Sequence, residues 1–392
     1  MMIKQLSAQS EHPRNVLKTI STLMALTAAV LLLAVVPAGA QTAASPSAIP
    51  NTICISCGGG GTGGGGGGGT NYNISWAAPY TTYSEELGGV YDRQGPAAAV
   101  YNGALWMAYT SVNNPYGDQW GDDYVYVGNS NSGVPWTPTS PVNPSGGLAI
   151  SNVNPALMGF GPNLYLALNT GGQYPAFVPY NSGSGWGVVT GVISEDVDYS
   201  PSLAYDPTNN VMYMGYRNSS DQTLVLCKMD STQAITCNNF PGTTQMNFNP
   251  GMAVMNGVLY IGFEAYDNSH QLLFYKSTDQ GQTITLSTAA GTDTTSTAPS
   301  LMVRTINNVQ VLYFGFRSND SGHYFLYKYT TDGANFSNTV NTGITMGGAP
   351  MLVWDQDNGG MSYNGYPPSQ PYIYNLFSQN DIDHYLYESL GQ

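Results

Sequence analysis

A unit of about 50 residues recurs through the chain, and this repeat constrains the fold more than any other feature. In each copy a proline precedes a short apolar run, then a turn, then an aromatic run. The prolines are Pro96, Pro155, Pro201, Pro250, Pro299 and Pro350, separated by 59, 46, 49, 49 and 51 residues. The third copy reads Pro201-Ser-Leu-Ala, Val-Met-Tyr-Met-Gly-Tyr-Arg217 and Thr-Leu-Val-Leu-Cys-Lys228. The fourth reads Pro250-Gly-Met-Ala-Val, Val-Leu-Tyr-Ile-Gly-Phe-Glu264 and Leu-Leu-Phe-Tyr-Lys276. The fifth reads Pro299-Ser-Leu-Met-Val, Val-Leu-Tyr-Phe-Gly-Phe-Arg317 and Tyr-Phe-Leu-Tyr-Lys328. Asn102-Gly103 and Asn256-Gly257 stand between apolar runs, which is a strong hairpin signal. Each unit therefore predicts four strands a, b, c and d, and six such units predict an all-β, six-bladed β-propeller of four-stranded antiparallel blades.

The last repeat ends after His-Tyr-Leu-Tyr387, with a strand c and no strand d. Asn71-Tyr-Asn-Ile-Ser-Trp76 resembles the outer strands Gly281-Gln-Thr-Ile-Thr-Leu286 and Gly333-Ala-Asn-Phe336. It is expected to close the ring by pairing with the last blade, because closure leaves no unpaired seam.

The chain before residue 71 is of another kind. Lys4, Arg14 and Lys18 precede an apolar run from about Leu23 to Val36, followed by Pro37-Ala38-Gly39-Ala40. Residues 1–40 read as a secretory signal cleaved after Ala40, with an uncleaved anchor as the alternative. Residues 41–70 read as a flexible tail and glycine linker, since Gly58 to Gly69 is glycine apart from Thr62. The folded unit is then 71–392. Lys4, Arg14, Lys18 and Glu11 leave with the signal, so 7 basic and 23 acidic residues remain and the net charge becomes −16. Such a chain repels phosphate backbones, which excludes nucleic acid as a partner. No second segment can span a membrane, so the mature chain is expected to be secreted, periplasmic or at the cell surface.

Between strands c and d the fourth repeat carries Ser277-Thr-Asp279-Gln-Gly281-Gln-Thr283-Ile284. The aspartate can accept backbone N–H groups, and glycine adopts the conformation other residues resist. A weaker copy in the first repeat holds Asn131, Gly133 and Trp136. A copy one residue shorter in the fifth holds Asp332, Gly333 and Phe336. This octapeptide resembles the Asp-box (BNR repeat) of bacterial sialidases and related propellers, and the resemblance covers 71–392. The third repeat has Met229, Ser231 and Gln233 where the fourth has Ser, Asp and Gly. Cys227 and Cys237 fall there at sites matching Tyr275 and Thr285, and they are expected to form a cross-strand disulfide. Cys54 and Cys57, before the linker, are expected to form a small local one.

In sialidases the active site lies on the face opposite the Asp-boxes, where the b–c loops and d–a connections emerge. Arg217, Glu264 and Arg317 end strand b in three successive repeats, and Asp221, Asp267 and Asp320 follow in the b–c loops. Arg93, in Arg93-Gln-Gly-Pro96, stands before the first strand a, one residue off the family's Arg-Ile-Pro pattern. Sialidases hold a substrate carboxylate with three arginines, which the resemblance assigns to Arg93, Arg217 and Arg317, with Asp267 and Asp320 beside them. It assigns the acid/base role to Asp118 and the partner of a tyrosine nucleophile to Glu264. Among 29 tyrosines none stands out as nucleophile; Tyr363 and Tyr366 are the nearest guesses.

Other readings stand beside this one. An Arg–Glu–Arg cluster at one repeat position can simply tie the ring together. Tyr216, Phe263 and Phe316 fit the blade core better than a sugar platform, and His270, His323 and His384 each open a strand c. The histidines have no metal spacing, so no metal or cofactor is expected. The leading expectation is a propeller that recognises glycans, cell-surface polysaccharide or glycoprotein without catalysis. The alternatives are an exo-sialidase or other glycoside hydrolase, and a structural envelope or matrix protein.

Overall fold

The computed structural model describes residues 72–76, 80–88, 95–111, 123–130, 140–143, 150–151, 153–169, 174–191, 197, 199–242, 244–287, 291–355, 372–378 and 385–391. The expected signal, tail and linker lie outside them, with Cys54, Cys57, Arg93, Asp118, Asn131, Gly133, Trp136, Tyr363, Tyr366 and His384.

The described residues form strands and no helix. After β1 (Tyr80–Gly88), the first repeat gives β2 (Ala97–Tyr101), β3 (Ala104–Ser111), β4 (Asp123–Ser130), β5 (Ser140–Pro141) and β6 (Ile150–Ser151). The second gives β7 (Ala156–Phe160), β8 (Asn163–Asn169), β9 (Pro175–Asn181), β10 (Gly185–Trp186) and β11 (Thr190–Gly191). Three four-stranded antiparallel sheets follow in chain order. They are β12 (Ser202–Asp206), β13 (Val211–Arg217), β14 (Leu224–Met229) and β15 (Ile235–Phe240); then β16 (Gly251–Met255), β17 (Val258–Glu264), β18 (Leu272–Ser277) and β19 (Thr285–Ser287); then β20 (Ser300–Ile306), β21 (Val309–Arg317), β22 (Tyr324–Thr330) and β23 (Val340–Thr345). The chain ends with β24 (Met351–Asp355), β25 (Tyr372–Ser378) and β26 (Tyr385–Gly391).

The hairpin signals act as their chemistry dictates. Asn102 and Gly103 have φ of 51° and 71°, and Asn256 and Gly257 have 53° and 75°, as a two-residue turn with positive φ at both centres requires. Asn307 and Asn308 do the same between β20 and β21 without a glycine. The blades meet through large side chains of the second and third strands. Phe314, Phe316, Phe263, Phe274, Tyr216 and Tyr313 are all fully buried. Gly262 in β17 permits this approach, since a Cβ there would stand 2.7 Å from the Phe314 ring of the next sheet.

These are antiparallel propeller blades, and two expectations need correction. The strands make five hydrogen-bonded sheets, not six, one of them nine-stranded in the order β24-β25-β26-β1-β3-β4-β5 with β2 on β3 and β6 on β4. The cause is β1. It pairs with β26 through Tyr80↔Glu388 and Thr81↔Tyr387, then runs on so that Leu87 and Gly88 pair with Ser111 and Thr110 of β3. The strand on the last blade is thus β1, not the segment at Asn71–Trp76. Residues 72–76 instead cover the fifth repeat. The Ile74 N–H donates to Tyr327 Oη at 2.8 Å, Tyr313 Oη donates to the Tyr72 carbonyl at 2.9 Å, and Trp76 sets its edge against Phe325 at 5.3 Å. An aromatic cluster with two phenol hydroxyls holds this segment on the fifth repeat.

The first strands of the repeats are neighbours in succession: β2 by β7, β7 by β12, β12 by β16, β16 by β20, β20 by β24, and β24 by β2. Together they line a mostly apolar cavity of about 480 Å3.

Candidate functional site

The register of the sheets makes the ends of the second strands equivalent. Ala108, Ala167, Gly215, Gly262 and Gly315 each pair with the first residue of a strand a, so Thr110, Asn169, Arg217, Glu264 and Arg317 share one position two residues on. All five are buried. Asn169 Nδ2 donates to the Val197 carbonyl at 2.7 Å, in the connector entering the next blade. Arg217 Nε donates to the Met246 carbonyl at 2.7 Å in the next connector. Arg317 Nη1 donates to the Gly347 carbonyl, and its Nε and Nη2 reach Ser296 Oγ at 3.0 and 2.9 Å. One position thus supplies a donor that holds the chain as it passes to the next repeat. Glu264 has only acceptors, and the pattern inverts there: Asn247 Nδ2 donates to Glu264 Oε1 at 2.6 Å, and His270 Nδ1 lies 2.7 Å from the same oxygen.

The loop aspartates are engaged locally. Asp221 Oδ1 accepts from the Thr223 hydroxyl and N–H, at 2.6 and 3.1 Å. Asp267 accepts from the Ser269 hydroxyl and N–H, and Asp320 from the Ser318 hydroxyl and the Gly322 N–H. The Ser269 hydroxyl chiefly holds the Asp267 carboxyl below its ordinary range, and the Ser318 hydroxyl does so for Asp320. His270 and His323 have φ of 55° and 47°, and their carbonyls accept the N–H groups of Thr295 and Met346, both at 2.9 Å. Their repeat-equivalence is structural, with the Glu264 contact added at His270.

One arrangement here escaped sequence reasoning. The Arg217 guanidinium carbon lies 5.0 Å from the Tyr199 ring centre and 5.5 Å from that of Tyr266. Tyr199 also meets Phe248 edge-on at 5.6 Å. Tyr266 is 48% exposed, whereas Tyr216, Phe263 and Phe316 are fully buried core residues. The available signal was its place two residues beyond Glu264, past the last core aromatic of strand b.

The c–d turns hold the opposite ends of the blades. Asp279 Oδ1 accepts from the Ser277 hydroxyl (2.8 Å), the Gln282 N–H (3.1 Å) and the Thr283 N–H (2.9 Å), while its Oδ2 takes the Thr283 hydroxyl (2.6 Å). Gly281 has φ +80° and donates to Ser277 Oγ at 2.9 Å. Asp332 makes the same cap with Thr330, Ala334 and Asn335, and Phe336 sets its edge on Phe274 at 4.9 Å. In the third repeat Asp230, one residue early, caps the turn through Thr232 and Ala234. Cys227 and Cys237 face each other across β14 and β15 and form the expected disulfide. Their counterparts are Tyr275 and Leu286, not Tyr275 and Thr285.

The Thr283 hydroxyl and then its N–H lower the Asp279 carboxyl from 3.8 to about 2. Because the folded value is the lower one, its contribution to stability is complete above 3.8 and fades as pH falls toward 2. Asp279→Asn is expected to make the acid limb of stability shallower between those values, measured as urea midpoint against pH.

Among the described residues no group of three or more His, Cys, Asp or Glu is placed to hold a metal ion. No described helix is long and apolar enough to cross a membrane.

No protein-family model matches the sequence, and no curated protein sequence matches it. Solved structures do resemble it. A Trypanosoma rangeli sialidase in complex with 2,3-difluoro-KDN superposes with a TM-score of 0.52 at 15% identity, over 81% of this chain and 58% of the sialidase. This chain therefore spans little more than half the length of that enzyme. A Dyadobacter fermentans protein of unknown function gives 0.56 at 13% identity, over 81% and 99%. A triple arginine-to-alanine mutant of AofleA from Arthrobotrys oligospora gives 0.53 at 8% identity, over 81% and 86%. At these identities the likeness is one of fold. The blades, their turns and these superpositions together give the chain a β-propeller fold similar to that of sialidases.

Proposed function

We propose that this protein is an exported, carbohydrate-recognising propeller that acts without catalysis. The observation that carries this reading is the Arg217 guanidinium flanked by Tyr199 and the half-exposed Tyr266, on the face where the b–c loops emerge. A sugar ring has an apolar face that stacks on an exposed aromatic, and the Tyr266 ring, held by the buried Arg217 guanidinium, offers that surface. The bonds from Arg217 and Arg317 to backbone carbonyls and Ser296 favour a tie between blades over a clamp for a substrate carboxylate. Glu264 Oε1 is engaged by Asn247 and His270, which favours a structural role over that of a partner to a tyrosine nucleophile.

The same reading counts six blades, closed by β1 as the outer strand of the last. It divides the nine-stranded sheet between β1 and β3, and the succession of first strands from β2 round to β24 and back supports it. The capped turns at Asp279 and Asp332 serve as Asp-boxes. Export follows from residues 1–40, with cleavage after Ala40.

Tyr266→Ala is the test. Its ring is half-exposed and its removal costs the Arg217 contact, so the variant is expected to fold with a slightly lower melting temperature. Retention of the protein on a column of mixed glycoprotein glycans is expected to fall about tenfold, as loss of one aromatic–sugar contact implies. Unchanged retention by the folded variant would overturn the proposed site.

A further inference from the structure

We infer a second binding site, for a neutral oligosaccharide, in the cleft on the propeller rim between β15 and the Ser277–Ile284 turn of the following blade. Two cavities adjoin there. One, of about 400 Å3, is lined by Leu226, Lys228, Thr236, Asn238, Gln280 and Gln282, with Gly281. The other, of about 500 Å3, is lined by Asn239, Phe240, Thr283 and Ile284 beside Cys237, and shares Asn238 and Gln282 with the first. Each falls within the size range of small-ligand clefts, about 300–1,000 Å3.

The lining chemistry selects the ligand. The chain carries a net charge of −14, yet no carboxylate lines either bay. The single charged group, Lys228, has its Nζ 3.4 Å from Gln280 Oε1. What remains is a row of amides and hydroxyls, which offer donors and acceptors side by side, as vicinal sugar hydroxyls require. Phe240 and Ile284 add an apolar surface for a ring face.

Both walls are held before any ligand arrives. The Cys227–Cys237 disulfide ties β15 to β14, and the Asp279 cap fixes the facing turn. Such preorganisation lowers the ordering cost of binding. A polypeptide adding to the edge of β15 fits less well. Asn238 Nδ2 reaches across to the Gly281 carbonyl at 3.0 Å and interrupts that edge between the two bays. A chain of sugar rings can pass over the tie, with one ring in each bay. Glycan retention through Tyr266 neither requires this site nor supplies it.

The test is an array of neutral and sialylated oligosaccharides probed with the full chain, each neutral hit then titrated by calorimetry. Gln282 is exposed and lines both bays, so Gln282→Ala is expected to fold and to weaken the neutral hit about tenfold. Thr236→Trp fills the first bay from an exposed strand position and is expected to abolish binding of a trisaccharide while sparing a monosaccharide. The site is refuted if no neutral oligosaccharide binds, or if binding survives both substitutions in folded protein. It is refuted too if Tyr266→Ala, and neither of these, removes the neutral hit. That last outcome would leave the Tyr266 reading standing.

Discussion

Arg317→Ala is expected to cost about 3 kcal/mol of stability, the magnitude for losing charged hydrogen bonds and stranding a half-buried acceptor. Arg317 is 5% exposed, and three of its nitrogens are committed, two to Ser296 Oγ and one to the Gly347 carbonyl. Without the guanidinium the Gly347 carbonyl loses that donor, and the connector entering β24 loses its hold. Urea denaturation of the two proteins measures the difference. A substrate-clamping arginine predicts the reverse, with stability unchanged and ligand turnover lost. Arg317→Lys keeps the charge but cannot place donors on both partners, so it is expected to fall between wild type and alanine.

Gly333→Ala is expected to cost about 2–5 kcal/mol, from a left-handed backbone conformation and an overpacked contact together. Gly333 has φ +67°, and a Cβ there would stand 2.1 Å from Tyr260 Oη of the preceding blade. Gly257→Ala separates the two causes. Its φ is +75°, but nothing lies within 4 Å of the added carbon, so only the conformational cost of about 1–2 kcal/mol is expected. Equal losses at the two sites would mean that the turn does not seat against Tyr260. Thermal or urea unfolding of both variants decides it.

The repeat was legible because its punctuation is local. A proline before each strand a, the Asn-Gly pairs and the alternation within Val-Leu-Tyr-Phe-Gly-Phe-Arg317 act through neighbouring residues. The Asp279 and Asp332 turns and the Cys227–Cys237 pair were legible for the same reason. What sequence missed depends on contacts between distant segments. Nothing in Asn71–Trp76 announces that Tyr313 and Tyr327 will capture it, leaving β1 to reach β26. Asp230 caps its turn from one position early, where the repeat places Ser231 opposite Asp279. The strand-b position of Arg217 and Arg317 was identified correctly. Its partners were not, because a backbone carbonyl such as that of Met246 carries no sequence signature. Tyr199 and Tyr266 come together only because consecutive connectors and loops converge on Arg217. Arg93 and Asp118 lie outside the described residues, so their roles stay with the family resemblance.

The measurement that bears most directly on recognition without catalysis is a single incubation with bead-bound sialylated glycoprotein, read for retained protein and for free sialic acid. Folded protein is expected to stay on the beads, with no sialic acid above the bead-only control. Release of free sialic acid would contradict it and establish a sialidase. Failure of the protein to stay on the beads would contradict it from the other side and favour a structural role.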